Sequence, residues 1–321
     1  MFYVPKLLKS LDGFWLYRAV LSRLAALKND RKLDIIDAHF GYPDGVGCVR
    51  AARALGIPVF ITLRGLEEEY LKTTVIGDQI SRALQQADGC ICVSHSLKKL
   101  AIHAGASTAH TRVIHNAVDR QIFRPRDKAE SRKVLSLAFD EPIIVSVGNL
   151  LSVKQHHVLI TAFAELLETV ASARLVIIGG SMHEPRYPTE LRALCERLGV
   201  TDNVTFAGRL NSTTVASWLS AANVFALASK REGCCNAVLE ALACGLPVVT
   251  TPVGDNTWFV KDGENGYIVP VDDSRAMAHA LSAALERKDW DGDRICAGLQ
   301  IGDWDRVAAE VLDFFAEYAG K

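Results

Sequence analysis

Residues 231–250, REGCCNAVLEALACGLPVVT, decide how this chain is read. From about residues 234–236 to 244 the stretch reads as a short helix. Gly245 supplies the left-handed stop, Pro247 forbids continuation, and the β-branched run Val248-Val-Thr-Thr251 becomes the next strand. Glu232 stands just before that helix and Glu240 on its second turn, eight positions apart. A buried helix start is a costly place for a carboxylate without a partner. The pair therefore asks for a chemical explanation.

Working outward, short apolar runs alternate with amphipathic helical stretches almost from end to end. Strands are expected at residues 35–40, 59–63, 89–93, 112–114, 143–147, 174–178, 204–206, 224–227, 247–251 and 266–269. Periodic segments such as 158–169 and 190–198 lie between them. Nearly continuous apolar strands alternating with helices imply parallel sheets covered on both faces, hence an α/β doubly wound architecture. Phe123-Arg-Pro-Arg-Asp127 and a charged helix interrupt the pattern. The expected division is residues 1–125, residues 140–302, and a last helix in 303–321 packing back on the first domain. Ligands of such sheets bind beyond the carboxyl ends of the strands, so a cleft between two facing domains is the expected site.

Composition excludes several classes. At 321 residues and 49% apolar the chain can bury a core large enough for two domains. A net charge of −1 gives no basic field for nucleic acid. No apolar run reaches the length of a membrane span, and no signal-peptide core opens the sequence. The eight cysteines form no CxxC pair, and several sit in apolar runs such as Gly89-Cys-Ile-Cys-Val93. They read as reduced thiols of a cytoplasmic protein. His156 and His157 are adjacent on a helix and point about 100° apart, which disfavours a shared metal ion. No metal site is expected.

Val145-Ser-Val-Gly-Asn-Leu-Leu-Ser-Val-Lys-Gln-His-His157 carries the second chemical signal. A strand ends in Gly148, a loop follows, and Lys154 stands at the mouth of the next helix. A lysine with free backbone N–H groups at a helix start suits a phosphate, although a surface lysine is the plainer reading of this segment alone. Should the two helix starts meet, Lys154 and the N–H groups around Gly233, Cys234 and Cys235 could neutralise a diphosphate. Glu232 and Glu240 would then accept hydroxyl donors on either side of it.

These residues carry a family resemblance. From about Asp34 onward the chain resembles a retaining family-4 glycosyltransferase of the GT-B fold. Glu232 and Glu240 match the family's paired glutamates, and Ala241-Leu-Ala-Cys-Gly-Leu-Pro-Val-Val249 matches the segment after them. Val253-Gly254 and Asp262-Gly-Glu-Asn-Gly266 match its glycine turns, and Ile114-His-Asn-Ala-Val-Asp119 its interdomain segment. Asp34-Ile-Ile-Asp-Ala-His39, Tyr42-Pro-Asp-Gly45 and Leu63-Arg-Gly65 resemble acceptor-domain elements.

The resemblance implies two Rossmann-like domains facing a cleft. The substrates implied are a nucleoside-diphosphate sugar, used without other cofactor, and a lipid-linked, glycan or small-molecule acceptor in polysaccharide or glycoconjugate synthesis. Glu232 would contact the transferred sugar, Glu240 the ribose, and Lys154 the diphosphate. His39 would sit near the sugar and Arg209 near the nucleobase. Asn149 stands where the family usually has arginine, so leaving-group stabilisation would rest more on Lys154 and the helix dipole. Trp258 replaces a frequent glutamate.

The family's first strands and glycine-rich loop find no match: either the natural start lies upstream, or the chain is a shortened relative whose incomplete first domain would impair activity. Residues 1–32 carry seven basic against two acidic side chains, with Phe14, Trp15, Leu16 and Leu21 among them. This stretch could lie on an anionic inner membrane face, or be a packing helix with a solvated basic side. A truncated sugar-nucleotide-binding protein, or a phosphorylase or epimerase on the same fold, remain as alternatives.

Overall fold

The structure, a computed structural model, describes residues 8–181 and 184–318. The chain divides into two compact units, residues 1–116 with 305–321, and residues 117–304. Among the described residues the first unit holds four strands: β1 Ile36–His39, β2 Val59–Leu63, β3 Gly89–Cys92 and β4 Thr111–Val113. They pair in sequential order, all parallel. The second unit holds β5 Ile143–Val147, β6 Arg174–Ile178, β7 Val204–Gly208, β8 Val224–Leu227, β9 Val248–Thr250 and β10 Gly266–Ile268. Its order is β10-β9-β8-β5-β6-β7, again parallel throughout. Each strand expected from the sequence forms, with ends that move by at most two residues because fraying and twist set them.

Alternation along β5 distributes the second core onto both faces of its sheet. Ile144 packs with Leu175, Val224 and Val249 beneath the helices His156–Leu167, Tyr187–Leu198 and Ser274–Glu286. Ile143 and Val145 pack on the opposite face with Phe225, Leu227 and the helices Ser212–Ala221 and Asn236–Ala243. Val118 and Phe123 are buried in that same cluster. Their apolar contacts draw the boundary back to Asn116, ahead of the charged segment at which composition alone puts it.

In the first unit the helix Asp12–Asn29 packs on Val46–Leu55. A Cβ at Gly47 would stand 2.8 Å from Leu16 Cδ2, so the two helices approach through glycine. Leu11, Phe14 and Trp15 remain exposed beside Arg18. Lys6 of the basic stretch lies outside the described residues. No helix among the described residues is long and apolar enough to cross a membrane.

The helix Trp304–Ala316 packs its later residues on the first sheet. Val307, Val311, Phe314, Phe315 and Tyr318 recur at helical spacing and surround Phe60, which is fully buried. The Phe60 and Phe314 rings meet edge to face at 5.2 Å, and Arg112 lies 4.3 Å above the Phe314 ring. Replacing Phe314 by Ala should destabilise the first unit by about 3–5 kcal/mol, the usual cost of emptying a buried aromatic site. Hydrogen exchange should then accelerate in β2 and β3 and stay unchanged in β5 and β8. Uniform acceleration in both units would contradict this assignment of the helix.

Candidate functional site

The second sheet runs outward in opposite directions from β5 and β8, which pair directly through Ile144 with Val224 and Val145 with Phe225. Such a reversal opens a crevice at the carboxyl ends of the two central strands. The loop after β5 carries Gly148, Asn149 and Lys154, and the loop after β8 carries Ser229 to Cys235. From these loops Gly148, Asn149, Lys154, Glu232, Cys234 and Cys235 line one pocket of about 370 Å³, with Gly179 and Gly180 after β6, Arg209 after β7, and Glu240. Gly179 has no room for a side chain, since a Cβ would fall 1.9 Å from the Gly148 carbonyl oxygen.

Lys154 Nζ donates to Glu232 Oε1 at 2.5 Å, and the Ser229 hydroxyl donates to the same oxygen at 2.6 Å. Side-chain exposures of 20% for Lys154 and 10% for Glu232 make this a desolvated pair. Burial works against the Lys154 charge, but the Glu232 carboxylate and then the Cys235 thiol outweigh it, and its pKa is raised. The lysine stays charged. It is the last residue of a short 3-10 turn, Ser152–Lys154, and Gln155 with φ of 50° separates it from the helix that begins at His156. The expected position of Lys154 at the mouth of a helix is thus modified by one residue in the left-handed region.

His156 is fully buried and its Nε2 lies 3.3 Å from the Asn149 carbonyl oxygen, which ties the helix to the β5 loop. Burial pushes its pKa down to about 4, so it is neutral. His157 turns instead to the Tyr187 hydroxyl, at 2.9 Å.

The helix Asn236–Ala243 begins against the pocket, with Cys235, Asn236 and Ala237 in its lining. Cys235 as N-cap makes no side-chain cap bond, and the positive end of the helix dipole faces the pocket. Glu240 lies one turn in. Its carboxyl makes no protein hydrogen bond among the described residues, and burial raises its pKa to about 7. One pocket therefore holds a charged lysine, a carboxylate already paired, and a carboxyl that is half protonated near neutrality.

Of the residues expected at the site, Asn149, Lys154, Arg209, Glu232, Cys234, Cys235 and Glu240 line this pocket. Gly233 lies in the same loop outside the lining. His39 belongs to the first unit, at the end of β1. Its Nε2 is 3.0 Å from Asp37 Oδ2, and Arg64 Nε donates to its Nδ1 at 3.0 Å. A guanidinium can only donate, so Nδ1 accepts and Nε2 carries the proton toward Asp37. Thr62 donates to the other Asp37 oxygen at 2.8 Å. Glu67, fully buried, accepts the Gly41 and Gly65 N–H groups at 2.8 Å and joins the loops after β1 and β2.

Sequence reading missed Glu67, Ser229 and the Gly179–Gly180 pair. Only the glycine pair, at the end of an apolar strand, carried a local signal.

Glu240 sets a pH dependence of stability. The folded state holds its proton up to about 7, whereas an exposed glutamate releases it near 4.5. The folded protein therefore binds more protons than the unfolded chain between these values, and this contribution to stability falls as pH rises through that window. Glu240→Gln should gain on the wild type by on the order of 2 kcal/mol between pH 4.5 and 8, read from paired denaturation curves. A pH-independent difference would remove the shift.

Comparison with known proteins bears on the family and the fold. Residues 127–294 match the family described as glycosyl transferases group 1, and residues 2–122 match Glycosyltransferase Family 4. A D-inositol 3-phosphate glycosyltransferase of Acidothermus cellulolyticus is 31% identical over 285 residues, covering 84% of this chain and 63% of the relative. The N-acetyl-alpha-D-glucosaminyl L-malate synthase of Bacillus anthracis is 27% identical over 274 residues, covering 84% of this chain and 70% of the relative. The chain thus spans about two thirds of the length of these curated relatives. The crystal structure of HepE from Anabaena in complex with UDP superposes with a TM-score of 0.82 at 20% identity, covering 93% of this chain and 82% of that one, a likeness of fold. On these matches, and on its two parallel α/β units, the chain belongs to the glycosyl transferases of group 1 as a family-4 glycosyltransferase of the GT-B fold.

Proposed function

We propose that the protein transfers a sugar from a nucleoside-diphosphate sugar to an acceptor hydroxyl with retention of anomeric configuration. The observation that carries this reading is the gathering of Lys154, Glu232, Glu240 and a helix N-terminus around one pocket at the β5–β8 reversal. In this reading Lys154 and the helix N-terminus neutralise the diphosphate, Glu240 accepts ribose hydroxyls, and Glu232 accepts a hydroxyl of the sugar. Asn149, without charge, leaves Lys154 as the cation of the β5 loop.

Departure of the diphosphate takes the bonding electron pair of the anomeric C–O bond and leaves oxocarbenium-like charge. The acceptor oxygen bonds to the same face of the anomeric carbon, and its proton passes to the leaving phosphate oxygen. No protein nucleophile takes part. Within the first unit, His39 is oriented by Asp37 and Arg64. The relatives named for inositol phosphate and malate products support a small polyhydroxylated or hydroxy-acid acceptor. HepE supports a uridine nucleotide as the first donor to test.

A binding protein with little turnover is the second reading, favoured by the Lys154–Glu232 pair, which already occupies one oxygen of the carboxylate assigned to the sugar.

Calorimetry with UDP, GDP and ADP and their glucose or mannose conjugates separates the glutamates. Glu240→Gln should weaken the bare nucleotide by about 1–3 kcal/mol, the range for a charged hydrogen bond. Glu232→Gln should leave the bare nucleotide nearly unchanged and slow transfer by about 10²-fold or more. Equal losses for nucleotide and donor in Glu232→Gln would demote that residue to a structural carboxylate, and donor binding without transfer to any acceptor would favour the second reading. Retention is checked separately: the product should carry the donor's anomeric configuration in its proton NMR coupling, and the opposite configuration would exclude this mechanism.

A further inference from the structure

Beneath the loop that carries Glu232 lies a buried chain of polar side chains that does not line the pocket. Ser229 is 0% exposed, and the strand that leads to it, β8, is wholly apolar. A hydroxyl at that position is costly unless it is bonded. Here it donates to Glu232 Oε1, the oxygen that Lys154 also holds. Glu232 Oε2 has no protein hydrogen bond among the described residues.

Behind Ser229 the chain continues without a gap. Thr251 Oγ1 donates to the Ser229 carbonyl at 2.5 Å. Asn256 Nδ2 donates to the Thr251 carbonyl at 3.1 Å and to Thr250 Oγ1 at 3.0 Å. Thr250 Oγ1 donates in turn to the Leu227 carbonyl at 3.0 Å. Thr250, Thr251 and Asn256 are at most 1% exposed. Gly254 closes the turn between them with φ of 58°, and a Cβ there would stand 2.9 Å from the Gly233 carbonyl oxygen. The end of β9 is thus fastened under the Glu232 loop.

A carboxylate on a loop turns about its own torsions unless something holds it. Two donors on Oε1 fix that rotation, and a fully satisfied buried network transmits the restraint. We infer that Ser229, backed by Thr251 and Asn256, is a positioning residue that keeps Glu232 Oε1 on Lys154 and leaves Oε2 to accept a substrate hydroxyl. This rests on the proposed contact of Glu232 with the sugar.

The test is a double-mutant cycle read by calorimetry with UDP and UDP-glucose, or the guanosine or adenosine pair if that pair binds more tightly. Ser229→Ala should change bare nucleotide affinity less than about twofold and weaken the sugar nucleotide about tenfold, the scale of one hydrogen bond to a charged group. In a Glu232→Gln background the same substitution should change sugar-nucleotide affinity less than about twofold, because the group it orients is already altered. Ser229→Thr, which keeps the hydroxyl, should restore most of the loss. If the tenfold loss persists in the Glu232→Gln background, or falls equally on bare nucleotide, Ser229 is only structural and the inference is overturned. A loss in Glu232→Gln without one in Ser229→Ala overturns it as well and leaves the proposed function intact. If Glu232→Gln itself spares the sugar nucleotide, the reading of Glu232 falls and the inference falls with it. Should Ser229→Ala fail to fold, Thr251→Val probes the same chain of bonds with the same expected pattern.

Discussion

The direct pairing of β5 with β8 is the constraint on which the candidate site depends. In a parallel sheet every strand points its carboxyl end the same way, so adjacent strands deliver their following loops side by side. Lys154 and Glu232, 78 positions apart in sequence, become an ion pair only because these two strands are neighbours. The glycines at the strand ends serve the same juxtaposition. At Gly179 the β6 loop comes within a side chain's width of the β5 loop, and no other residue fits there without moving backbone.

Electrostatics then give the two glutamates different states. Glu232 has a lysine and a hydroxyl on one oxygen, and its charge is balanced inside the protein. Glu240 has only burial, which drives it toward its neutral form. Two carboxyls of one pocket thus differ through their surroundings alone.

The first unit uses a buried carboxylate differently. Glu67 accepts backbone N–H groups from two loops, so its charge is spread over amide dipoles and the loops after β1 and β2 are held together. One of these loops carries Arg64, which fixes the His39 tautomer together with Asp37. Asp37 acts as the orienting partner of His39, two residues on.

The sequence by itself determined the strands, their parallel sense and the helix after Glu232, because hydrophobic period, Gly245 and Pro247 are local properties. It also marked Lys154, Glu232 and Glu240 as candidates through residue type and spacing. Tertiary structure alone decided which oxygen each donor takes. Ser229 and Thr251 look like ordinary polar residues at strand ends, and Glu67 like one of three consecutive surface glutamates. Their partners lie on other strands and loops, and a hydrogen bond between distant segments leaves no periodicity in the chain. Burial of Glu240 was equally illegible, since desolvation depends on every element packed around the carboxyl rather than on its neighbours in sequence.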